Sequence, residues 1–229
     1  MNNTGTLYIV ATPIGNLEDI TFRALRILKE VDYILCEDTR TTKKLLNRYE
    51  IKTKTISYHA HSTSAKESSI INMLKEGNNL ALVSDAGTPC ISDPGVLLVA
   101  NVRKELGVDA KVVPIPGPSA IISALSASGI PSSEFVFLGF LPHKKGRETL
   151  FKEIAISKRT IVFYESTHRI MKTLVSLDIY SPDCIVVIAR EITKQFEQFI
   201  KGSPKEIISY FLENKEKQRG EFVVIVHHR

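Results

Sequence analysis

Short runs of apolar, mostly β-branched residues alternate along this chain with stretches whose apolar positions recur every three or four residues. LYIVA (7–11), YILCE (33–37), TISYH (55–59), LALVS (80–84) and KVVPI (111–115) predict strands. Between the first two, ITFRALRILKEV (20–31) places Ile20, Ala24, Ile27, Leu28 and Val31 at helical spacing. Further helices are expected near 41–49, over 64–76 up to Gly77, and over 96–106 up to Gly107. Unbroken apolar strands separated by helices predict a parallel sheet covered on both faces. A break falls at Pro114, Pro116, Gly117 and Pro118, and a short helix, SAIISALSAS, follows it. The second half reads FVFLGF (135–140), helix, TIVFYE (160–165), helix, CIVVIAR (184–190), QFIKG (198–202), a helix over 204–214, and FVVIV (222–226). No helix separates 184–190 from 198–202, so this second sheet is expected to be mixed. Two α/β domains are predicted, residues 1–113 and 119–229, joined by a linker at 114–118.

Composition narrows the class. Of the 229 residues 43% are hydrophobic and 24% charged, values that exclude a disordered tail or a fibrous repeat. No apolar stretch reaches the ~18 residues of a membrane helix. The start, MNNTGTLYIVAT, lacks a basic segment followed by an apolar one, so a cytoplasmic protein is expected. Cys36, Cys90 and Cys184 lie far apart and form no CxxC pair, which points to neither a disulfide framework nor a zinc site.

The net charge of +5 is modest, but its placement is uneven. Residues 40–54 carry Arg40, Lys43, Lys44, Arg48, Lys52 and Lys54 against Glu50 alone. Residues 143–159 carry Lys144, Lys145, Arg147, Lys152, Lys158 and Arg159 against Glu148 and Glu153. Two basic runs on a slightly acidic body suit a polyanion such as a nucleic-acid backbone, or form two solvated helix faces. Only Tyr49 and Phe151 are interleaved with them, so no base-stacking platform is indicated.

In an open parallel sheet, ligands bind beyond the carboxyl ends of the strands. Those ends here are ATPIGN (11–16), CEDTRTT (36–42), YHAHST (58–63), SDAGTPCISDPG (84–95) and PIPGPSA (114–120), all rich in Gly, Pro, Ser, Thr, Asp or His. Gly87 permits close backbone approach, and Asp85, after a buried strand and before no helix, suits ligand contact. Asp93 can likewise accept hydrogen bonds from a ligand, but Ser92 or Asp93 more readily caps a helix beginning near Pro94. His59 and His61 would share a face of a strand. With no third ligand at a telling spacing, they point to polar lining or acid/base work rather than to a metal. GxGxxG, Walker A and GxSxG patterns are absent, which argues against a conventional dinucleotide site, a P-loop and a serine hydrolase.

Taken together, LYIVATPIGNLEDIT (7–21), ILCEDTRTTKKLL (34–46), ALVSDAGTPCISDPG (81–95), VVPIPGPSA (112–120), FLGFLP (137–142), FYESTHRI (163–170), AREITKQFE (189–197) and RGEFVVIV (219–226) resemble the tetrapyrrole (corrin/porphyrin) methylase superfamily. Within it they are similar to the ribosomal RNA cytidine 2′-O-ribose methyltransferases. The resemblance spans nearly the whole chain in order, with one departure: Ser62 stands where the family commonly has Asn after its second histidine. Many members also carry a further small helical domain beyond the position of Arg229.

The resemblance implies two α/β domains with S-adenosylmethionine in the cleft between them, in a homodimer. It implies methylation of a cytidine 2′-hydroxyl in the decoding region of small-subunit (16S) ribosomal RNA, free or in the assembled subunit. Cofactor contacts would come from Ile14, Gly15, Asp85, Ala86, Gly87, Ile91, Ser92, Ser119 and Ala120, with Tyr164 closing over the adenosine. Asp38, His59 or Glu165 would take the 2′-proton. Arg40, Arg169 and Arg190 suit phosphate, since a guanidinium fork matches phosphate oxygens, as do Lys43, Lys44, Lys144, Lys145 and Arg147 of the basic runs. Glu37–Arg40 and Glu165–Arg169 also read as structural ion pairs. The alternatives are the same fold acting on a small molecule such as a tetrapyrrole, and an RNA-binding protein without activity.

Overall fold

The computed structural model describes residues 4–59 and 62–228, which fall into two compact units, Met1–Ser119 and Ala120–Arg229. In the first, β1 (Thr6–Val10), β2 (Tyr33–Cys36), β3 (Lys54–Ser57), β4 (Leu80–Val83) and β5 (Lys111–Ile115) form one sheet in the order β3-β2-β4-β1-β5. Every pairing in it is parallel. The period of two in each strand sorts side chains between two cores. Val10, Ile34, Cys36, Ala81 and Val83 pack with Ala24, Ile27 and Leu28 of α1 (Phe22–Glu30) and Leu45 and Leu46 of α2 (Thr39–Arg48). Leu7, Leu35, Leu80 and Leu82 pack on the other face with Ile70, Ile71 and Leu74 of α3 (Ser64–Lys75) and Leu98 and Val102 of α4 (Val96–Leu106). Thr21, Asp38 and Thr63 start α1, α2 and α3 by accepting hydrogen bonds from backbone N–H groups of the first turn.

The expected linker at 114–118 is not a separate segment. Pro114 and Ile115 pair with Ile9 and Val10 as the end of β5, and the unit runs on to Ser119. The chain leaves β1 and β4, neighbours at the middle of the sheet, in opposite directions toward β2 and β5. Their carboxyl ends therefore lie at a topological switch point.

The second unit holds β6 (Phe135–Phe140), β7 (Thr160–Ser166), β8 (Ile185–Arg190), β9 (Gln198–Gly202) and β10 (Glu221–His227) in the order β6-β7-β10-β8-β9. Only β6 and β7 are parallel, so the sheet is mixed. On one face α6 (Arg147–Ile156), α7 (Ile170–Tyr180) and α8 (Pro204–Glu213) cover Ile161, Phe163, Val186, Ile188, Phe222, Val224 and Val226. On the other, α5 (Ala120–Ser128) covers Val162, Val187, Ala189, Val223 and Ile225. Among the described residues no helix is long and apolar enough to cross a membrane.

Candidate functional site

Main-chain hydrogen bonds draw together the loops after β1, β4 and β5. Thr12 and Gly87 exchange N–H···O=C bonds of 2.9 Å in each direction, forming an isolated antiparallel bridge. The buried Thr12 hydroxyl donates to the Ser84 carbonyl (3.1 Å), and the Thr88 hydroxyl donates to the Pro118 carbonyl (3.2 Å). Gly87 has φ +78°, a conformation costly to residues with a Cβ. A Cβ there would stand 3.5 Å from Ile14 Cγ2. One at Gly117 would stand 3.0 Å from the Ala11 Cβ, so the close approach there favours glycine, whereas at Gly87 it is the backbone conformation that does.

The loop after β2 joins the same rim through Asp85, whose Oδ1 accepts the Asp38 N–H at 3.2 Å. Asp85, Ala86, Ile91 and Ser92 are exposed, and Ile14, Ser119 and Ala120 are half-buried. Of the four backbone segments joined here, those after β1 and β4 carry Ile14, Gly15, Asp85, Ala86 and Gly87, while Ile91, Ser92 and Ser119 lie farther along the loops after β4 and β5. Ala120 and Tyr164 belong to the second unit, where Tyr164 packs edge-on against Phe137, ring centroids 5.0 Å apart.

The three expected proton acceptors sit in different surroundings. Asp38 caps α2 and pairs with the exposed Arg40 (Oδ2 to Nη2, 2.8 Å). Hydrogen bonds from the Arg40 side chain and backbone hold its pKa down at about 2. Arg40 therefore pairs with Asp38 and not with Glu37, because the capping carboxylate already faces the residue two along. His59 is exposed, and its N–H is bound by the Ser62 hydroxyl at 3.0 Å. Ser62, the departure from the family pattern, closes that turn; His61 lies outside the described residues.

Glu165 is a correction. It is only 2% exposed, and its carboxylate is taken by Arg169 Nε (3.0 Å), the Thr173 hydroxyl (2.6 Å) and the Ser166 N–H (2.9 Å). An enclosed carboxylate so bound cannot reach a substrate hydroxyl. Its position was readable in the alternation of β7, since Glu165 is in phase with the core residues Ile161 and Phe163.

Three arginines expected to hold phosphate are likewise engaged by the chain. Arg169 Nη2 donates to the Leu141 carbonyl (2.5 Å), and Arg147 donates to the Pro142 carbonyl (3.2 Å) and the Thr173 hydroxyl (2.7 Å). Arg190 donates to the Arg219 (2.7 Å) and Phe196 (3.0 Å) carbonyls. By contrast Lys43, Lys44, Lys144 and Lys145 are exposed.

The cap expected of Ser92 or Asp93 is a correction. The helix begins at Val96 with Gly95 (φ +125°) before it and has no side-chain cap, so neither Ser92 nor Asp93 caps it. Cys90 (φ +70°) and Ser92 (φ +62°) turn the loop back on itself. Burial raises the Asp93 pKa to about 6 against a hydrogen bond from Ser84, and the negative charges of Glu37 and Asp85 add to the rise. The chance signal was Pro94, which looked like a first helical residue and in fact lies in the turn before it.

The sequence pattern of the Tetrapyrrole (Corrin/Porphyrin) Methylases matches residues 6–208. The chain belongs to the tetrapyrrole methylase family. Within that family it is 52% identical over 229 residues to the Ribosomal RNA small subunit methyltransferase I of Vibrio cholerae, covering 99% of this chain and 78% of the relative. The proteins of that name from Halalkalibacterium halodurans (50% identity, 98% of this chain, 76% of the relative) and Thermotoga maritima (48%, 97% and 98%) are similar to the same degree. Solved family structures share the fold at low identity. The methyltransferase CobJ superposes with TM-score 0.72 at 17% identity, covering 98% of this chain and 95% of that one. The Thermus thermophilus uroporphyrin-III C-methyltransferase complexed with S-adenosylhomocysteine gives 0.64 at 16%, covering 98% of each chain. The family's two-sheet α/β architecture is thus the one described above.

Proposed function

We propose that this protein is an S-adenosylmethionine-dependent methyltransferase acting on the 2′-hydroxyl of a cytidine in the decoding region of small-subunit ribosomal RNA. The observation that carries this reading is the set of relatives named ribosomal RNA small subunit methyltransferase I, about half identical over nearly the whole chain. The cytidine and its ribose oxygen follow from the sequence resemblance. Use of S-adenosylmethionine is supported by the fold neighbour that binds its demethylated product. The expected setting is the cytoplasm, and the expected assembly a homodimer.

The residues present fit such a cofactor. The exposed Gly15 lets a ligand approach main chain, Gly87 holds the loop after β4 against the loop after β1, and the exposed Asp85 offers a carboxylate to ribose hydroxyls or an amine. Ile14, Ala86, Ile91, Ser92 and Ser119 complete the contacts from the first unit. Bound S-adenosylmethionine supplies an electrophilic sulfonium methyl group. Positioning of the reactants is worth up to about 7–11 kcal/mol in favourable intramolecular reactions, and a general base adds a factor of about 10²–10⁴. Asp38, held at about 2, is too weak a base for the 2′-proton at neutral pH. We assign that proton to Asp93 or to His59, and pH–rate profiles of Asp93→Asn and His59→Ala decide between them. Lys43, Lys44, Lys144 and Lys145, with Arg40, meet phosphates and orient the strand without reading its sequence.

Calorimetry with S-adenosylhomocysteine tests the cofactor assignment. The parent protein is expected to bind it, and Asp85→Ala to lose at least tenfold in affinity without loss of fold. Parental affinity in that variant would remove the 84–95 loop from the site.

A further inference from the structure

The enclosed Glu165 raises the question of what a buried charge cluster does in the second unit. A buried ion pair is weak evidence for stability, because an apolar filling of similar volume is often as stable. Here the charges are tied to one segment. Arg169 binds the Leu141 carbonyl and lies 3.3 Å from His143 Nε2; Arg147 binds the Pro142 carbonyl. The Arg147 N–H also binds the Lys144 carbonyl at 3.2 Å. Thr173 joins the two arginines through Glu165, donating its hydroxyl to the carboxylate and accepting from Arg147. The Arg147 guanidinium is braced over the Phe151 ring, 5.0 Å from its centroid. Two successive carbonyls need donors with rigid forks, and two arginines need a carboxylate between them; apolar side chains supply neither. The segment so held, Leu141–Gly146, exposes His143, Lys144 and Lys145, and turns into α6 through Gly146 at φ +80°.

We propose that Glu165 is a positioning residue for RNA: through Arg169, Thr173 and Arg147 it clamps Leu141–Gly146, so that Lys144 and Lys145 meet the ribose-phosphate backbone from a fixed place. This rests on the reading of the 143–159 run as an RNA contact. A loop already ordered before binding spares the conformational entropy that binding would otherwise cost. Glu165, Arg147 and Arg169 therefore act on RNA through the lysines and not by touching it.

The test uses the whole protein with purified small ribosomal subunits. Thr173→Val keeps the side-chain volume and removes the hydroxyl that links Glu165 to Arg147; Thr173→Ser keeps the hydroxyl. In Thr173→Val, the Arg147 amide, which binds the Lys144 carbonyl, is expected to exchange faster. Subunit binding should weaken by about fivefold, the scale of one lost hydrogen bond. KM should rise, while kcat and S-adenosylhomocysteine affinity stay parental. Thr173→Ser should restore exchange and binding. In a Lys144→Glu/Lys145→Glu background Thr173→Val should add nothing, because coupled residues are not additive. Arg147→Lys, which keeps the charge and loses the fork, replaces Thr173→Val if melting curves show the latter unfolded. Parental subunit affinity in the loosened variant overturns the clamp, as does parental amide exchange. If Lys144→Glu/Lys145→Glu itself binds subunits as the parent does, the reading of the basic run fails and the clamp falls with it. If it binds weakly while Thr173→Val does not, the reading stands and the clamp alone is wrong.

Discussion

The two sheets carry loops held in place by different means. In the first unit, the loops after β1, β4 and β5 are fastened by main-chain and hydroxyl hydrogen bonds across glycine contacts, and Asp85 stays exposed. In the second, the loop before α6 is fastened by half-buried arginines tied to Glu165, which is enclosed. A carboxylate at the end of a strand is thus left open to solvent in one unit and built into the architecture in the other. What distinguishes them is the strand's own alternation: Glu165 is in phase with a core face, whereas Asp85 lies beyond the strand.

The largest effect that sharpens this contrast is on stability. Glu165→Ala leaves Arg169 buried without its carboxylate, and a broken buried pair typically costs about 3–5 kcal/mol. Asp38→Ala removes a surface pair with Arg40 and a helix cap, so its loss should be much smaller. Denaturant midpoints of the two variants check this; equal losses would erase the distinction. Next comes Gly87→Ala, which forces a Cβ into the left-handed region at about 1–2 kcal/mol. It should weaken S-adenosylhomocysteine binding more than it lowers the melting temperature, as calorimetry and melting curves on the same sample would show.

The fold was largely legible because period-two strands such as Leu7–Val10 and Leu80–Val83 separate two cores, and because Thr21, Thr63 and Ser203 start helices where expected. The convergence of the loops after β1, β4 and β5 was legible where glycines follow apolar strands. It was not legible where tertiary partners decide a role. Arg40 has carboxylates at both 37 and 38 within reach in sequence, and only the capping geometry selects Asp38. Arg147 and Arg190 look like free cations until the carbonyls of Pro142 and Arg219 are seen beside them, whereas the spacing of Glu165 and Arg169 already suggests the ion pair that forms. Asp93 looked like a cap until Gly95 and the left-handed Cys90 and Ser92 moved the helix start.

A smaller effect concerns charge at the surface. Reversing Lys43, Lys44, Lys144 and Lys145 to Glu should weaken subunit binding and flatten its dependence on salt, each lost phosphate contact lowering the slope by about 0.7–0.9. Cofactor affinity should not change, because none of these lysines is in the loops proposed to hold the cofactor. The smallest effect is a pH dependence. Asp93 has a folded-state pKa of about 6 against an ordinary 3.8, so the folded chain holds this proton more tightly than the unfolded one. Stability from this group therefore falls as pH rises from about 4 to about 6, and Asp93→Asn should flatten that fall in denaturant midpoints taken across the window.

The central claim is transfer of a methyl group to a ribose of small-subunit RNA, and isotope-labelled S-adenosylmethionine measures it directly. The protein is incubated with unmethylated small ribosomal subunits or, separately, with a tetrapyrrole substrate, and the labelled RNA is hydrolysed in alkali. The account predicts about one methyl per subunit, recovered in an alkali-resistant dinucleotide that begins with cytidine, because a methylated 2′-oxygen cannot attack the adjacent phosphate. Label in the tetrapyrrole, label on a base, or no transfer to RNA would contradict it.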